Sequence, residues 1–147
     1  MLTCHDVAKY FLAQSDREAG DLISNLKLQK LVYYAQGFSL ALNNEPIFPE
    51  KIEAWTHGPV IPTLYQAYKA YDSSVIPSPS GMDFSVYSQE NIEFLDEIYS
   101  VFGQFSAWKL RNMTHEEPPW RDASEYSGEI SHPSMKEYFL SQIETNG

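Results

Sequence analysis

The chain has 147 residues, of which 43% are apolar and 14% aromatic, and a single cysteine, Cys4. That length and apolar content exclude a disordered chain and support one domain with a sizeable core, while one cysteine excludes an internal disulfide framework and fits a reducing compartment. The formal charge of −10 divides into −2 over residues 1–74 (six Lys/Arg, eight Asp/Glu) and −8 over residues 75–147 (four and twelve), which disfavours direct nucleic-acid binding.

Thr3 and Asp6 are spaced as an N-cap and its N3 partner, opening a helix that carries Val7, Tyr10 and Phe11. Asp6 and the absence of a basic leader argue against a signal peptide. Ser15 to Gly20 is polar and reads as a loop. Ser24 or Asn25 then caps the strongest helix, which ends near Asn43-Asn44. Leu28, Leu31, Val32, Ala35, Phe38 and Leu42 fill one stripe of it, and Leu26, Tyr33 and Leu40 fill another. A helix apolar on two sides must be covered on two sides, so it is expected at the centre of the fold. Its apolar run is too short to span a bilayer.

Pro46 and Pro49 keep the next segment non-helical, and the alternation over Lys51 to Trp55 predicts a short extended piece. Gly58-Pro59 is expected to turn the chain. Pro62 starts a helix with Val60, Leu64, Ala67, Tyr68 and Tyr71 on one side. Residues 72–88, rich in Pro and Ser, form the longest loop and the best candidate for a mobile or partner-contacting flap. Ser88 or Gln89 opens a further helix, with Gly103 at its end, and Ser106 caps a short one through Trp108, Leu110 and Met113. Pro118-Pro119 stops that helix, a loop rich in Ser, Glu and Gly follows, and Ser134 with Glu137 boxes the last helix.

The candidate chemistry is thin. His57, His115 and His132 with Glu116, Glu117 and Asp122 raise a metal-dependent hydrolase as one alternative, but no pair has a local ligand spacing such as HExxH. The simpler reading has His57 and His115 bonding backbone at turns. Cys4 and His5 are adjacent on a helix and do not face each other. No phosphate loop, nucleophile elbow or cofactor fingerprint is present. The sequence therefore implies no catalytic residue, no metal and no cofactor. Trp55 and Trp120, near Pro and Gly on turns, read as core packing or as binding anchors. Gln29 and Gln36, seven residues apart between the apolar stripes, are expected to satisfy turns from inside.

Three segments carry a resemblance. They are the helix Lys27-Leu28-Gln29-Lys30-Leu31-Val32-Tyr33-Tyr34-Ala35-Gln36, the stretch from Pro46-Ile47-Phe48 through Trp55, His57 and Gly58-Pro59, and Thr114-His115 with Pro119-Trp120. In this order they resemble the Panacea, or SocA-like, antitoxin domain family, which includes phage-associated proteins of the GepA type. The resemblance runs from about Val7 to Phe139. It implies a mainly helical domain that neutralises a toxin by protein contact rather than chemistry. The motif residues Trp55, His57, Gly58, Pro59, His115, Pro119 and Trp120 are expected either to form the partner-binding surface or to support it from the core. Some members are fused to a DNA-binding domain, and none is expected here.

The expectation is a single, mainly α domain over residues 1–147, built around a central helix at about 24–43 with a small extended element near 51–55. Its expected function is that of a cytoplasmic antitoxin binding a cognate toxin, with neither nucleic acid nor membrane as partner. Its acidic second half favours a basic toxin, although a solvated surface kept for solubility accounts for the same charge. A phage-associated adaptor without a toxin partner is the alternative within the same class. The sequence carries no mark of oligomeric state.

Overall fold

A computed structural model describes residues 1–15, 22–126 and 128–146, with side chains through Ile143. Most of the loop expected at Ser15 to Gly20 lies outside the described residues. The α-helices are α1 (Cys4–Gln14), α2 (Asn25–Asn43), α3 (Pro62–Tyr68), α4 (Gln89–Phe102), α5 (Ala107–His115), α6 (Pro118–Ser124) and α7 (His132–Asn146). Strands β1 (Glu53–Trp55) and β2 (Gly58–Val60) form a small antiparallel hairpin between α2 and α3. The fold is mainly α with one two-stranded sheet.

Helix α1 starts where its capping chemistry dictates. Thr3 Oγ1 accepts from the Asp6 amide at 3.1 Å, and the Thr3 amide donates to Asp6 Oδ2 at 2.9 Å. Ser24 caps α2, and Asn44 ends it in the left-handed conformation with φ 58°. Helices α1, α3, α4, α5 and α7 and strand β2 all pack on α2. Leu28, Leu31, Val32 and Ala35 on one stripe, and Tyr33 and Leu40 on the other, are buried. Leu42 departs from its stripe: at 57% exposure it lies beyond the covered part of the helix.

Helix α7 comes close to α2 at Gly37. A Cβ there would lie 2.1 Å from Cε2 of Phe139 on α7, so only glycine lets that ring against the α2 backbone. Phe139 then packs on Tyr33, Tyr34 and Phe38, with centroids 5.7, 5.9 and 4.7 Å away. Such edge-on and tilted ring pairs add to simple burial.

Four local expectations are corrected. The chain turns at Thr56-His57, because Trp55 pairs with Gly58 across the hairpin and Gly58-Pro59 is already strand β2. Pro118 does not merely stop α5; it occupies the first turn of α6, where a missing amide costs nothing. Residues 128–130, expected as loop, add to the free edge of β1: Ala54 N donates to Gly128 O and Ile130 N to Ile52 O. Ser131, not Ser134, caps α7, its Oγ accepting from the Ser134 amide. A fifth concerns α3, where Leu64 alone is buried, whereas Ala67 and, in the turn that follows the helix, Tyr71 face solvent.

Residues 72–88 are pinned at several points. Ile76 is buried and its amide donates to Ile23 O, Ser78 Oγ donates to Leu12 O, and Tyr87 OH donates to Asp6 O. A 3-10 turn at Phe84–Val86 lies within the segment.

Candidate functional site

Lys27, Gln29, Lys30 and Gln36 of the motif helix α2 point into the protein and hold other elements by their backbones. Lys27 Nζ donates to the Gly103 carbonyl at 2.7 Å, placing an ammonium at the negative end of α4. Gln29 accepts from the Ile61 amide and donates to Asn25 Oδ1. Lys30, fully buried, donates to the Pro59 carbonyl at 3.1 Å. Gln36 accepts from the Ile47 amide at 2.9 Å and donates to the Phe48 carbonyl at 2.9 Å. Both glutamines thus have the inward structural role their spacing suggests, but Gln36 holds the 47–48 segment rather than either histidine turn. Leu28 and Leu31 supply apolar burial between these clamps.

Tyr33 and Tyr34 converge on Glu117, the residue before α6, donating to Oε1 at 3.1 Å and Oε2 at 2.7 Å. Burial raises the Glu117 carboxyl to about 7 despite those two donors, so near neutrality it carries only part of a charge. Burial likewise lowers Lys30 to about 7, with the charge of Arg111 adding to the effect. No carboxylate stands within ion-pair distance of Lys30 among the described residues. The neutral amine therefore satisfies the Pro59 carbonyl without the larger penalty of a buried ion.

The hairpin and the α5–α6 corner meet over this helix. Gly58 has φ 112°, and a Cβ on it would lie 2.5 Å from Lys30 Cε and 2.9 Å from Thr114 Oγ1. Glycine is required there twice over, by conformation and by space. Trp120 Nε1 donates to the Trp55 carbonyl at 2.7 Å, which ties α6 to β1. The His115 ring stacks on Trp120 with centroids 3.9 Å apart and planes 5° from parallel. Its pKa is lowered by burial first, then by Arg111 and Lys30, and its Nε2 is buried without a hydrogen-bond partner. Pro119 is buried, and Trp120 packs half-buried against the core.

The structure thus joins Trp55, His57, Gly58 and Pro59 with His115, Pro119 and Trp120, two segments far apart in sequence. They do not all share one role. Gly58, Pro59, His115, Pro119 and Trp120 lock the corner together. Trp55 and His57 face outward and, with Ala54, Thr56 and Tyr65, line an open hollow of about 520 Å³. Trp55 and Tyr65 meet edge to face at 5.0 Å, and the Trp55 indole donates to Glu53.

Trp108 and Arg111 extend this outer face, and Arg111 escaped the motif reading. Trp108 is 58% exposed, and the Arg111 guanidinium lies 4.5 Å from its ring centroid. Their three-residue spacing on a helix is the sequence signal that places them side by side. Arg111 Nε also donates to His57 Nδ1 at 3.4 Å, linking α5 to the hairpin turn.

No three His, Cys, Asp or Glu side chains gather as a metal-ligand group among the described residues. The carboxylate of Glu117 is engaged by two tyrosines rather than by His115 or His57. Cys4 is buried, and burial with the nearby Glu50 raises its thiol to about 12, far from a reactive thiolate. No helix among the described residues is long and apolar enough to cross a membrane.

Residues 28–121 match the family model described as antitoxin SocA-like, Panacea domain. The chain is 32% identical over 109 residues to "Antitoxin SocA" of Caulobacter vibrioides (strain NA1000 / CB15N). That match covers 67% of this chain and 58% of the relative, so the chain spans a little over half the length of the curated protein it resembles. No solved structure matches significantly. The matched region contains the clamp residues of α2 from Leu28 onward, the hairpin and the α5–α6 corner, and the chain belongs to the SocA-like antitoxin family of Panacea domains.

Proposed function

We propose that this protein is an antitoxin that neutralises a cognate toxin by binding it directly, without catalysing a reaction. The observation that carries the reading is the fate of the family motif. Its buried polar residues are used up holding the hairpin and the α5–α6 corner, and what remains presented to solvent is an aromatic face at Trp55, Tyr65, His57 and Trp108. Aromatic side chains held half-exposed on a rigid support are the composition of binding hot spots. The toxin is a basic protein, steered by the acidic second half, and the domain spans the whole of residues 1–147.

Co-expression tests the reading. The product of the adjacent reading frame is expected to arrest growth alone, to be relieved by this chain, and to co-purify with it at fixed stoichiometry. Relief without a complex, or no toxicity from either neighbouring frame, would overturn it.

A further inference from the structure

In a chain of net charge −10, one exposed aromatic band carries an arginine. Trp108, Arg111, His57, Trp55 and Tyr65 form a continuous band: Arg111 covers the Trp108 ring, bonds His57, and His57 borders the hollow walled by Trp55 and Tyr65. The Arg111 guanidinium bonds His57 and Asn112 but has no carboxylate within ion-pair distance among the described residues. Its charge is nevertheless felt inward, since it lowers the pKa of both Lys30 and His115. The nearest acidic group of the hairpin, Glu53, is already bound to the Trp55 indole. Arginine stacked on an aromatic ring keeps a planar fork of donors free at its edge, pre-organised for a carboxylate.

Resting on the antitoxin reading, we propose that this band is a docking site for an acidic segment of the toxin, with a carboxylate on Arg111 and a neighbouring apolar side chain in the hollow between Trp55 and Tyr65. Two features select this occupant. A basic segment is repelled by Arg111, and an exposed lysine elsewhere on the surface lacks the stacked, planar fork that Arg111 offers a carboxylate. The two electrostatic elements then divide the work. The overall acidic field draws in a basic toxin, and the carboxylate on Arg111 fixes its orientation.

The test uses the full-length chain, isotope-labelled, and two peptide probes: acetyl-Leu-Glu-Leu-Glu-amide and its glutamine counterpart. The glutamate peptide is expected to shift the indole signals of Trp55 and Trp108 and the amide of His57 at about millimolar concentration. The glutamine peptide should leave them in place, and Arg111→Gln should abolish the response. Equal shifts by both peptides, a response that survives Arg111→Gln, or no response to the glutamate peptide would each overturn the site. With the neighbouring gene product as partner, Arg111→Gln and Trp108→Ala are expected to weaken binding roughly 30-fold, as truncation of an anchor does. Arg111→Lys should recover little of this, because lysine lacks the stacked fork. Thermal melts matching the parent keep these variants interpretable, since Trp108 is largely exposed. If the unaltered chain neutralises its partner while both variants bind as tightly as it does, the docking site falls and the antitoxin reading stands. If the unaltered chain neutralises nothing, the antitoxin reading falls, and the peptide result still decides whether the band binds carboxylates.

Discussion

Lys30 donates its side-chain nitrogen to the Pro59 carbonyl at 3.1 Å from a position with no exposed surface. A lysine is seldom fully buried without a carboxylate, and here burial lowers its pKa to about 7. Glu117, on the same helix's tyrosine pair, is raised to about 7 for the same reason. The motif thus encloses a base and an acid that both titrate near neutrality, each in its own hydrogen-bonded niche.

The signs of these shifts give a pH profile. Glu117 holds its proton more tightly folded than unfolded, so between its ordinary value of 4.5 and about 7 the folded state binds more protons and stability falls as pH rises. Lys30 releases its proton more readily when folded, so between about 7 and its ordinary value of 10.5 the unfolded state binds more protons and stability rises. These two groups together place a stability minimum near neutrality, with each arm sloping at most about 1.4 kcal/mol per pH unit. Denaturant midpoints measured from pH 4.5 to 10 should show it. Glu117→Gln should flatten the acid arm and Lys30→Met the alkaline arm; a profile unchanged by both substitutions would refute the assignment.

Gly58→Val should destabilise the fold by about 1–3 kcal/mol through strain alone. The φ of 112° disfavours any side chain, and the added Cβ would meet Lys30 Cε at 2.5 Å, so the Lys30–Pro59 bond is expected to be lost as well. Chemical denaturation of the variant checks this. A midpoint equal to the parent's would mean that the turn relaxes freely.

At the other end of α2, Gly37→Ala tests the approach of α7. The new methyl would sit 2.1 Å from Phe139 Cε2, and overpacking of this kind typically costs about 1–3 kcal/mol. Phe139→Leu alone should also destabilise, by loss of ring contacts with Tyr33, Tyr34 and Phe38. Because the two changes fill and empty the same space, the double variant should be less destabilised than the sum of the singles. Additive losses would show that the helices shift apart instead.

Local rules carried much of the fold in the sequence. The Thr3–Asp6 box, the Ser24, Ser88 and Ser106 caps and the doubly apolar face of α2 depend on residues within a few positions of each other. What escaped depends on partners far along the chain. Gly58-Pro59 has the composition of a turn, and only pairing of Trp55 with Gly58 shows that the turn comes earlier. Pro118-Pro119 ends one helix and begins another, and a proline pair alone does not say which. The roles of Lys27, Lys30, Tyr33 and Tyr34 stayed hidden because their partners, Gly103, Pro59 and Glu117, are 29 to 84 residues away. Arg111 beside Trp108 was within reach of helical spacing alone.

Salt provides a separate check on steering. If the acidic second half draws in a basic toxin, raising ionic strength from about 50 to 500 mM should slow association several-fold, because the Debye length shortens below the range over which the field acts. Dissociation should change much less, since contacts in a desolvated interface are screened weakly. Stopped-flow association rates at several salt concentrations measure this. An on-rate indifferent to salt would leave the acidic surface as a solubility device.

The two histidines separate a binding role from a chemical one. His115 is half-buried face to face on Trp120, so His115→Gln should lower stability by about 1 kcal/mol through loss of that stack. Neutralisation should nevertheless persist wherever the protein stays folded, because the Trp120–Trp55 bond that ties the corner does not involve the imidazole. His57 is exposed and accepts from Arg111, and glutamine can supply an acceptor in its place. His57→Gln is therefore expected to leave the melt unchanged and to weaken toxin binding only a few-fold, well short of Arg111→Gln. Growth rescue, complex affinity and melting temperature should be measured on the same preparations. Should either histidine substitution abolish neutralisation while fold and toxin binding stay intact, contact alone would no longer account for the activity, and a chemical role for that imidazole would replace it.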